Sequence, residues 1–180
     1  VYPASGTTLT ISGALSGAGN LTLNDAGNLV LSGANAHLGT TAITAGTLTL
    51  SGDNAYTGNT TLNAGTVITT HLHALGNNSA VSLSNVNGTL LQLNSSLNVG
   101  SLTGGGTTGG NLVLGTGAVL TAGSDNTSST FGGAISGAGG LAKSGTGTWT
   151  LTSNGTYTGR VFIDGKEWAA VADGAGRQIR

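Results

Sequence analysis

LSGANAHLGTTAITAGTL (residues 31–48) and LSGDNAYTGNTTLNAGTV (residues 50–67) superpose without a gap at an offset of 19 residues. Leu31 meets Leu50, Gly33 meets Gly52, Asn35 meets Asn54, Gly39 meets Gly58, Ile43 meets Leu62 and Gly46 meets Gly65. A second correspondence spans a longer distance: GALSGAGNL at 13–21 matches GAISGAGGL at 133–141, and the same offset continues to Tyr157, Gly159 and Ile163. A short period that recurs at two separations marks a chain built from stacked units, and it takes precedence over local propensity.

Within each unit polarity alternates, as in Thr47-Leu48-Thr49-Leu50 and Thr148-Trp149-Thr150-Leu151. Each strand therefore has one buried face and one wet face. Turns follow at the Ser-Gly-Asx-Asn stretches, where Gly and Asn accept positive φ. A strand, a turn, a second strand around Ile43 or Leu62 and a glycine corner make one unit, which cannot bury its apolar face alone. Stacking such units at a spacing of about 4.8 Å places Leu29, Leu48 and Val67 in one interior column and Leu31 and Leu50 in another. The expected fold is all-β, a parallel β-helix (β-solenoid) of 19–20-residue rungs. Roughly nine rungs would give a rod ~40 Å long at that spacing.

Composition agrees. Gly accounts for 34 of 180 residues and charged residues for only 6%. Gly costs about 1 kcal/mol in a helix interior, and Thr, Ser and Asn compete for backbone hydrogen bonds, so strands and turns remain for the chain before Lys166. A formal net charge of −1 offers no electrostatic footprint for nucleic acid. The absence of Cys removes disulfides, thiolate chemistry and Cys-based zinc sites together. No apolar run reaches the ~18 residues of a membrane span, and no export signal opens the chain at Val1, so both are expected to lie outside it.

The strings GAISGAGGLAKSGTGTWTLTSNGTYTG (133–159) and LTLSGDNAYTGNTTLNAGTV (48–67) resemble the autotransporter-associated β-strand repeat, the passenger repeat of type V secreted, AIDA-like adhesins. The resemblance covers residues 10–160 and rests on the segments G-x-G-x-L-x-K-x-G-x-G-T and N-x-Y-T-G-x-T-T. It implies a right-handed parallel β-helix displayed on, or secreted from, a Gram-negative cell, as the stalk or adhesive part of a large protein. The family's outer-membrane barrel has no counterpart here, so the resemblance implies a passenger fragment whose only membrane link lies elsewhere. Residues 71–130 keep strand-like runs, Leu90-Leu91-Gln92-Leu93 and Asn111-Leu112-Val113-Leu114, but do not hold the 19-residue register. They are expected to form irregular rungs within a repeat domain of residues 1–163.

The search for chemistry yields no catalytic, cofactor-binding or metal residue. Polysaccharide-cleaving β-helices need convergent carboxylates. Asp25, Asp53 and Asp125 are far apart in sequence and sit in turn contexts, where Asp is favoured for local hydrogen bonds, and Asp53 aligns with Ala34 in the preceding unit. His71 and His73 form an H-x-H pair on one side of a strand or loop; two imidazoles can begin a metal site, but a third and fourth ligand are not evident in the neighbouring sequence. His37 aligns with Tyr56 and Tyr157 and reads as a stacked ring in a turn. Gly104-Gly105-Gly106, Gly109-Gly110 and residues 137–140 lack the Lys-Ser/Thr ending and following helix of a phosphate loop. No Asp ladder matches the calcium-binding nonapeptide repeat. A Thr-x-Thr ice-binding array, begun by Thr47 and Thr49, is interrupted by Asn28 and Val30 on one side and by Ile68 on the other. Amyloid-like stacking is disfavoured because the rungs are not identical, and Asn-x-Ser/Thr acceptors such as Asn59 and Asn94 carry little information in so Asn- and Thr-rich a chain.

The expected function is thus a non-enzymatic cell-surface module for adhesion or self-association, its partners being host or bacterial surface ligands or other copies of the chain. The alternatives are a glycan- or receptor-binding segment, for which residues 71–130 are the place to look, a carbohydrate-active enzyme, or an ice-binding solenoid. The last segment breaks the pattern, since seven of the eleven Asp, Glu, Lys and Arg residues fall between Arg160 and Arg180. Val161-Phe162-Ile163 fits a repeat strand, with Ile163 on the core position of Ile43. Asp164-Gly165 then signals a tight turn, after which Lys166–Ala172 would return as a strand or short helix. Residues 164–180 are read as a cap with Trp168 over the last rung, or else as a junction or foreign extension.

Overall fold

The computed structural model describes residues 1–168 and 177–179. Every regular element among them is a β-strand. The chain winds as a β-solenoid of seven full turns and part of an eighth, each turn visiting three sides. On the first side seven parallel strands stack in order: Thr8–Ile11, Asn28–Leu31, Thr47–Leu50, Thr66–Thr69, Leu90–Leu93, Asn111–Leu114 and Ile135–Gly137. The second side stacks Leu21–Leu23, Thr41–Ile43, Thr60–Leu62, Ala80–Leu83, Ser101–Gly104, Ser129–Phe131 and Trp149–Leu151. The third side begins as the short pair Ser16–Gly17 and Ala36–His37, and later becomes a regular sheet of Leu97–Val99, Val119–Ala122, Gly140–Lys143 and Val161–Ile163.

Alternation sets the interior. In Thr47–Leu50 the leucines are buried and the threonines face outward, because successive side chains of a strand point to opposite faces. The register stacks Leu29 on Leu48 on Val67, and Leu31 on Leu50 on Thr69. The two columns expected from the sequence are therefore present, and their apolar members are at most 1% exposed. Ile43 likewise stacks on Leu62. Thr69 interrupts the second column, and its buried hydroxyl has no hydrogen-bond partner. Two glycines at the corner before the first-side strands show why nothing larger fits. Gly65 has φ +85°, and a Cβ placed on it would lie 2.3 Å from the carbonyl oxygen of Gly46 one turn below.

The rungs are not uniform, and this corrects the estimate of nine. Along the first side Leu29 pairs with Leu48 and Leu48 with Val67, but Val67 pairs with Leu91, Leu91 with Leu112 and Leu112 with Ile135. The lengthened turns fall within residues 71–130, the stretch that lost the sequence register. Their added length has a further effect. Leu21 and Leu141 are equivalent in sequence, yet Leu21 lies on the second side and Leu141 on the third; Leu31 lies on the first and its equivalent Leu151 on the second. The later copy of the repeat has slipped by one side around the solenoid. The placement of Ile163 with Ile43 is corrected for the same reason: Ile163 pairs with Lys143 on the third side, and Ile43 belongs to the second.

At the far end the chain reverses. Lys166–Trp168 pairs antiparallel with Val161–Ile163 across the turn at Asp164 and Gly165, and Arg177–Ile179 pairs antiparallel with Trp149–Leu151. Residues 169–172 of the expected return segment, and the side chain of Trp168, lie outside the described part.

If the columns carry the stability, Leu50→Ala leaves a cavity between Leu31 and Thr69 and lowers the free energy of unfolding by about 2–5 kcal/mol. A urea titration of the two proteins measures it, and an unchanged midpoint would contradict the register.

Candidate functional site

Among the described residues, three side chains able to ligate a metal gather in one place, where the third side is interrupted. The third turn of the solenoid runs from Thr47 to Leu62 and the fourth from Thr66 to Leu83. Where most turns place a strand on the third side, the third turn has none and the fourth places a tight turn at residues 71–75. It is closed by the N–H of Ala74 donating to the carbonyl of His71 (3.2 Å) and that of Gly76 donating to His73 (3.0 Å). His71 and His73 thus lie in a turn rather than along a strand.

This turn is fastened to the rung below by a buried asparagine ladder. The amide Nδ2 of Asn54 donates to the carbonyl of Ala74 (2.7 Å), and the N–H of Asn54 donates to the carbonyl of His73 (3.3 Å). The Asn54 oxygen accepts from both the main chain and the side chain of Asn35 (2.9 and 2.8 Å), whose own oxygen accepts the N–H of Leu15 (3.0 Å). Both asparagines are at most 2% exposed. Buried amides are tolerated when donor and acceptor are both used, and here each joins two turns. The match of Asn35 with Asn54 was visible in the repeat, but the ladder was not, because only stacking makes residues 19 apart neighbours.

Holding Asn54 in place also places Asp53 beside it. Asp53 Oδ1 lies 2.8 Å from Nδ1 of His73 and 3.8 Å from Nδ1 of His71. The three residues offer donor atoms that all lie within 4.8 Å of one another, of types that ligate metal ions, and the cluster is open to solvent. The sequence showed only two of the three. Asp53 lies 20 residues before His73, nearly one rung, and that spacing was the signal that could have found it.

His37 is a stacked ring as expected, although it lies in the short strand Ala36–His37 rather than in a turn. It lies on Tyr56 with centroids 4.6 Å apart and planes 29° from parallel, and is 4% exposed. Its Nε2 is 2.9 Å from Thr41 Oγ1, whereas Nδ1 is buried without a partner. Desolvation lowers its pKa, since a protonated ring would place an N–H where nothing accepts it. Burial pushes the Tyr56 phenol up to about 12, against the hydrogen bonds of Thr60 and Thr41 that lower it.

Asp25 and Asp125 are occupied locally. Asp25 accepts the N–H of Ala26 (2.8 Å), and Asp125 accepts both the N–H and the hydroxyl of Thr127 (2.9 and 2.8 Å). Partial burial pushes the Asp125 carboxyl up, but these bonds and that of Ser101 outweigh it and hold the group below its ordinary value. The Gly104–Gly110 stretch is a loop closed by the N–H of Gly106 donating to Gly109, with Asn85 Oδ1 accepting the N–H groups of Thr108 and Gly109. An open depression beside that loop, lined by Gly105, Asn111, Thr152 and Asn154 among others, contains no carboxylate or imidazole.

A sequence model of the passenger-associated-transport-repeat family matches residues 21–49, 45–68 and 141–165. The chain is similar to a curated protein described as an adhesin BmaC autotransporter from Brucella suis biovar 1 (strain 1330), with 38% identity over 173 residues. That match covers 93% of this chain but only 4% of the relative's length. No solved structure matches.

His37 gives this region a pH dependence. Its folded-state pKa lies below the ordinary 6.5, so the unfolded chain takes up the proton first as pH falls. The stability held by the neutral ring is complete above 6.5 and declines as pH drops toward the folded value. Replacing it by the residue its equivalents carry, His37→Tyr, removes this contribution. Urea midpoints for the two proteins should therefore diverge in favour of His37→Tyr as pH is lowered from 7.5 to 5.5; a constant difference would contradict the assignment.

Proposed function

This chain is an autotransporter passenger-repeat protein, and we propose that it works as a non-enzymatic adhesive segment of a much longer passenger, displayed on or released from the bacterial surface. The observation that carries this reading is a continuous outward row on the second side: Thr22, Ala42, Thr61, Ser82, Thr103, Thr130 and Thr150. All but Ala42 carry hydroxyls, and none of them is buried. Successive strands lie about 4.8 Å apart, so the row is a regular rail of donors and acceptors along the rod. Such a surface suits many weak hydrogen bonds to a glycan, a receptor or a second copy of the chain. The relative's description as an adhesin supports the reading, and the local use of Asp25 and Asp125 favours it over a carbohydrate-active enzyme.

Beads coated with the chain should adhere to host-cell or bacterial surfaces or aggregate with one another. The triple variant Thr61→Lys, Ser82→Lys and Thr103→Lys should lower that signal to background while keeping the melting temperature within about 3 °C, as expected of surface changes. Undiminished adhesion would remove the hydroxyl rail from the mechanism.

The reversed strands at the far end support a second assignment, that residues 164–180 close the repeat domain of residues 1–163. An open parallel edge exposes unpaired N–H and C=O groups and invites end-to-end pairing. The antiparallel pairings of Lys166–Trp168 and Arg177–Ile179 occupy that edge on two sides. Deleting 166–180 should then cause oligomerisation or a lower melting temperature. A deletion variant that stays monomeric with an unchanged melting temperature would exclude a capping role.

A further inference from the structure

We propose that Asp53, His71 and His73 bind a single divalent transition-metal ion of the Zn²⁺ class, which ties the third turn of the solenoid to the fourth.

The placement of the donors is the first argument. Asp53 belongs to one turn and the two histidines to the next, so they meet only because the rungs stack in this register. Tetrahedral zinc holds its N and O ligands at ~2.0–2.2 Å, which sets neighbouring donor atoms about 3.3–3.6 Å apart. The observed separations from Asp53 Oδ1, 2.8 Å to His73 and 3.8 Å to His71, straddle that value. Closing the site asks for side-chain adjustment on a backbone that is already held in place. The Asn54 clamps on Ala74 and His73 hold the turn onto the rung, and pre-organisation of this kind lowers the ordering cost of binding.

The protonation states are the second argument. The main-chain N–H of His73 approaches Nδ1 of His71 at 3.2 Å, and an N–H needs an acceptor, so that nitrogen carries its lone pair. Ligation by His71 Nδ1 uses that same lone pair and exchanges the 3.2 Å hydrogen bond from the His73 N–H for the metal. His73 Nδ1 faces the Asp53 carboxylate at 2.8 Å and donates its proton to it. Zinc takes the place of that proton between the same two atoms, and the ring becomes the tautomer protonated at Nε2, so the net proton count is unchanged. The result is two neutral imidazoles and one carboxylate.

Two imidazoles among three protein ligands select Zn²⁺ and related ions over Ca²⁺ and Mg²⁺, which prefer oxygen. The side chains remain 30–66% exposed, which leaves the outer coordination positions to water. The site also lies where the third side is interrupted: below it the ladder continues through Asn54, and above it the N–H of Asn98 donates to the carbonyl of Leu72 (3.1 Å). An ion here pins a turn that takes the place of a strand.

The test is calorimetric titration of the tag-free chain, residues 1–180, with ZnCl₂. One Zn²⁺ per chain and a raised melting temperature are expected, with no competition from equimolar CaCl₂. Asp53→Asn, His71→Ala and His73→Ala should each weaken binding by about tenfold or more, while Asp125→Asn binds as the unchanged chain does. Zn²⁺ should also shift the imidazole NMR resonances of His71 and His73 and leave those of His37 in place, a readout that needs no variant to fold. Absence of a saturable heat, retained affinity in any of the three ligand variants, or resonance shifts that spare His71 or His73 would overturn the proposal.

Discussion

Most strands of this protein are hydrogen-bonded both to the turn before and to the turn after, and that arrangement governs everything else. Backbone N–H and C=O groups buried between rungs must be paired, and in a parallel stack they pair with the same positions of the neighbouring turns. A side chain that points inward therefore meets the inward side chain of the next copy, and stability follows from columns: Leu29 on Leu48 on Val67, and Ile43 on Leu62. The repeat in the sequence is the chemical consequence of this geometry, since each rung offers its neighbour the same surface.

Close stacking also explains the polar residues that are buried. At the corner of Gly46 and Gly65 the spacing between turns leaves no room for a Cβ. Asn35 and Asn54 are tolerated because their amides replace backbone hydrogen bonds that an irregular corner cannot make for itself. Lys143 is 2% exposed, and its ammonium donates to the carbonyls of Ser144 and, at 2.8 Å, Gly145, so its charge is met by the turn that follows its own strand. In each case a buried polar group persists because the stack supplies a partner at fixed distance.

The same constraint separates scaffold from function. Inward positions are committed to the columns, which leaves outward positions and interruptions of the rungs free to vary. The hydroxyl row of the second side is of the first kind, and the turn at residues 71–75 is of the second. A regular rail suits repeated weak contacts, whereas a break in the third side brings together groups from two turns that a regular strand would have kept in line. That the Asp53, His71 and His73 cluster lies at this break follows from the freedom a turn has to point its side chains toward the rung below.

Polarity alternation and the 19-residue offset were sufficient to read strands, glycine corners and two interior columns from the sequence, because these depend on short-range pattern and on one repeated length. The stacked ring of His37 was legible too, from its alignment with Tyr56. The length of the turns between residues 71 and 130 was not, because an added residue in a corner changes no local pattern. That length decided that Leu141 lies on the third side although its equivalent Leu21 lies on the second, and it moved Ile163 away from the column of Ile43. The 20-residue spacing of Asp53 and His73 is nearly one rung, but it becomes a contact only when one turn is laid on the next. The alternation fixed which face of each strand is inside; the accumulated lengths of the corners, expressed only in the stack, decided what each strand lies beside.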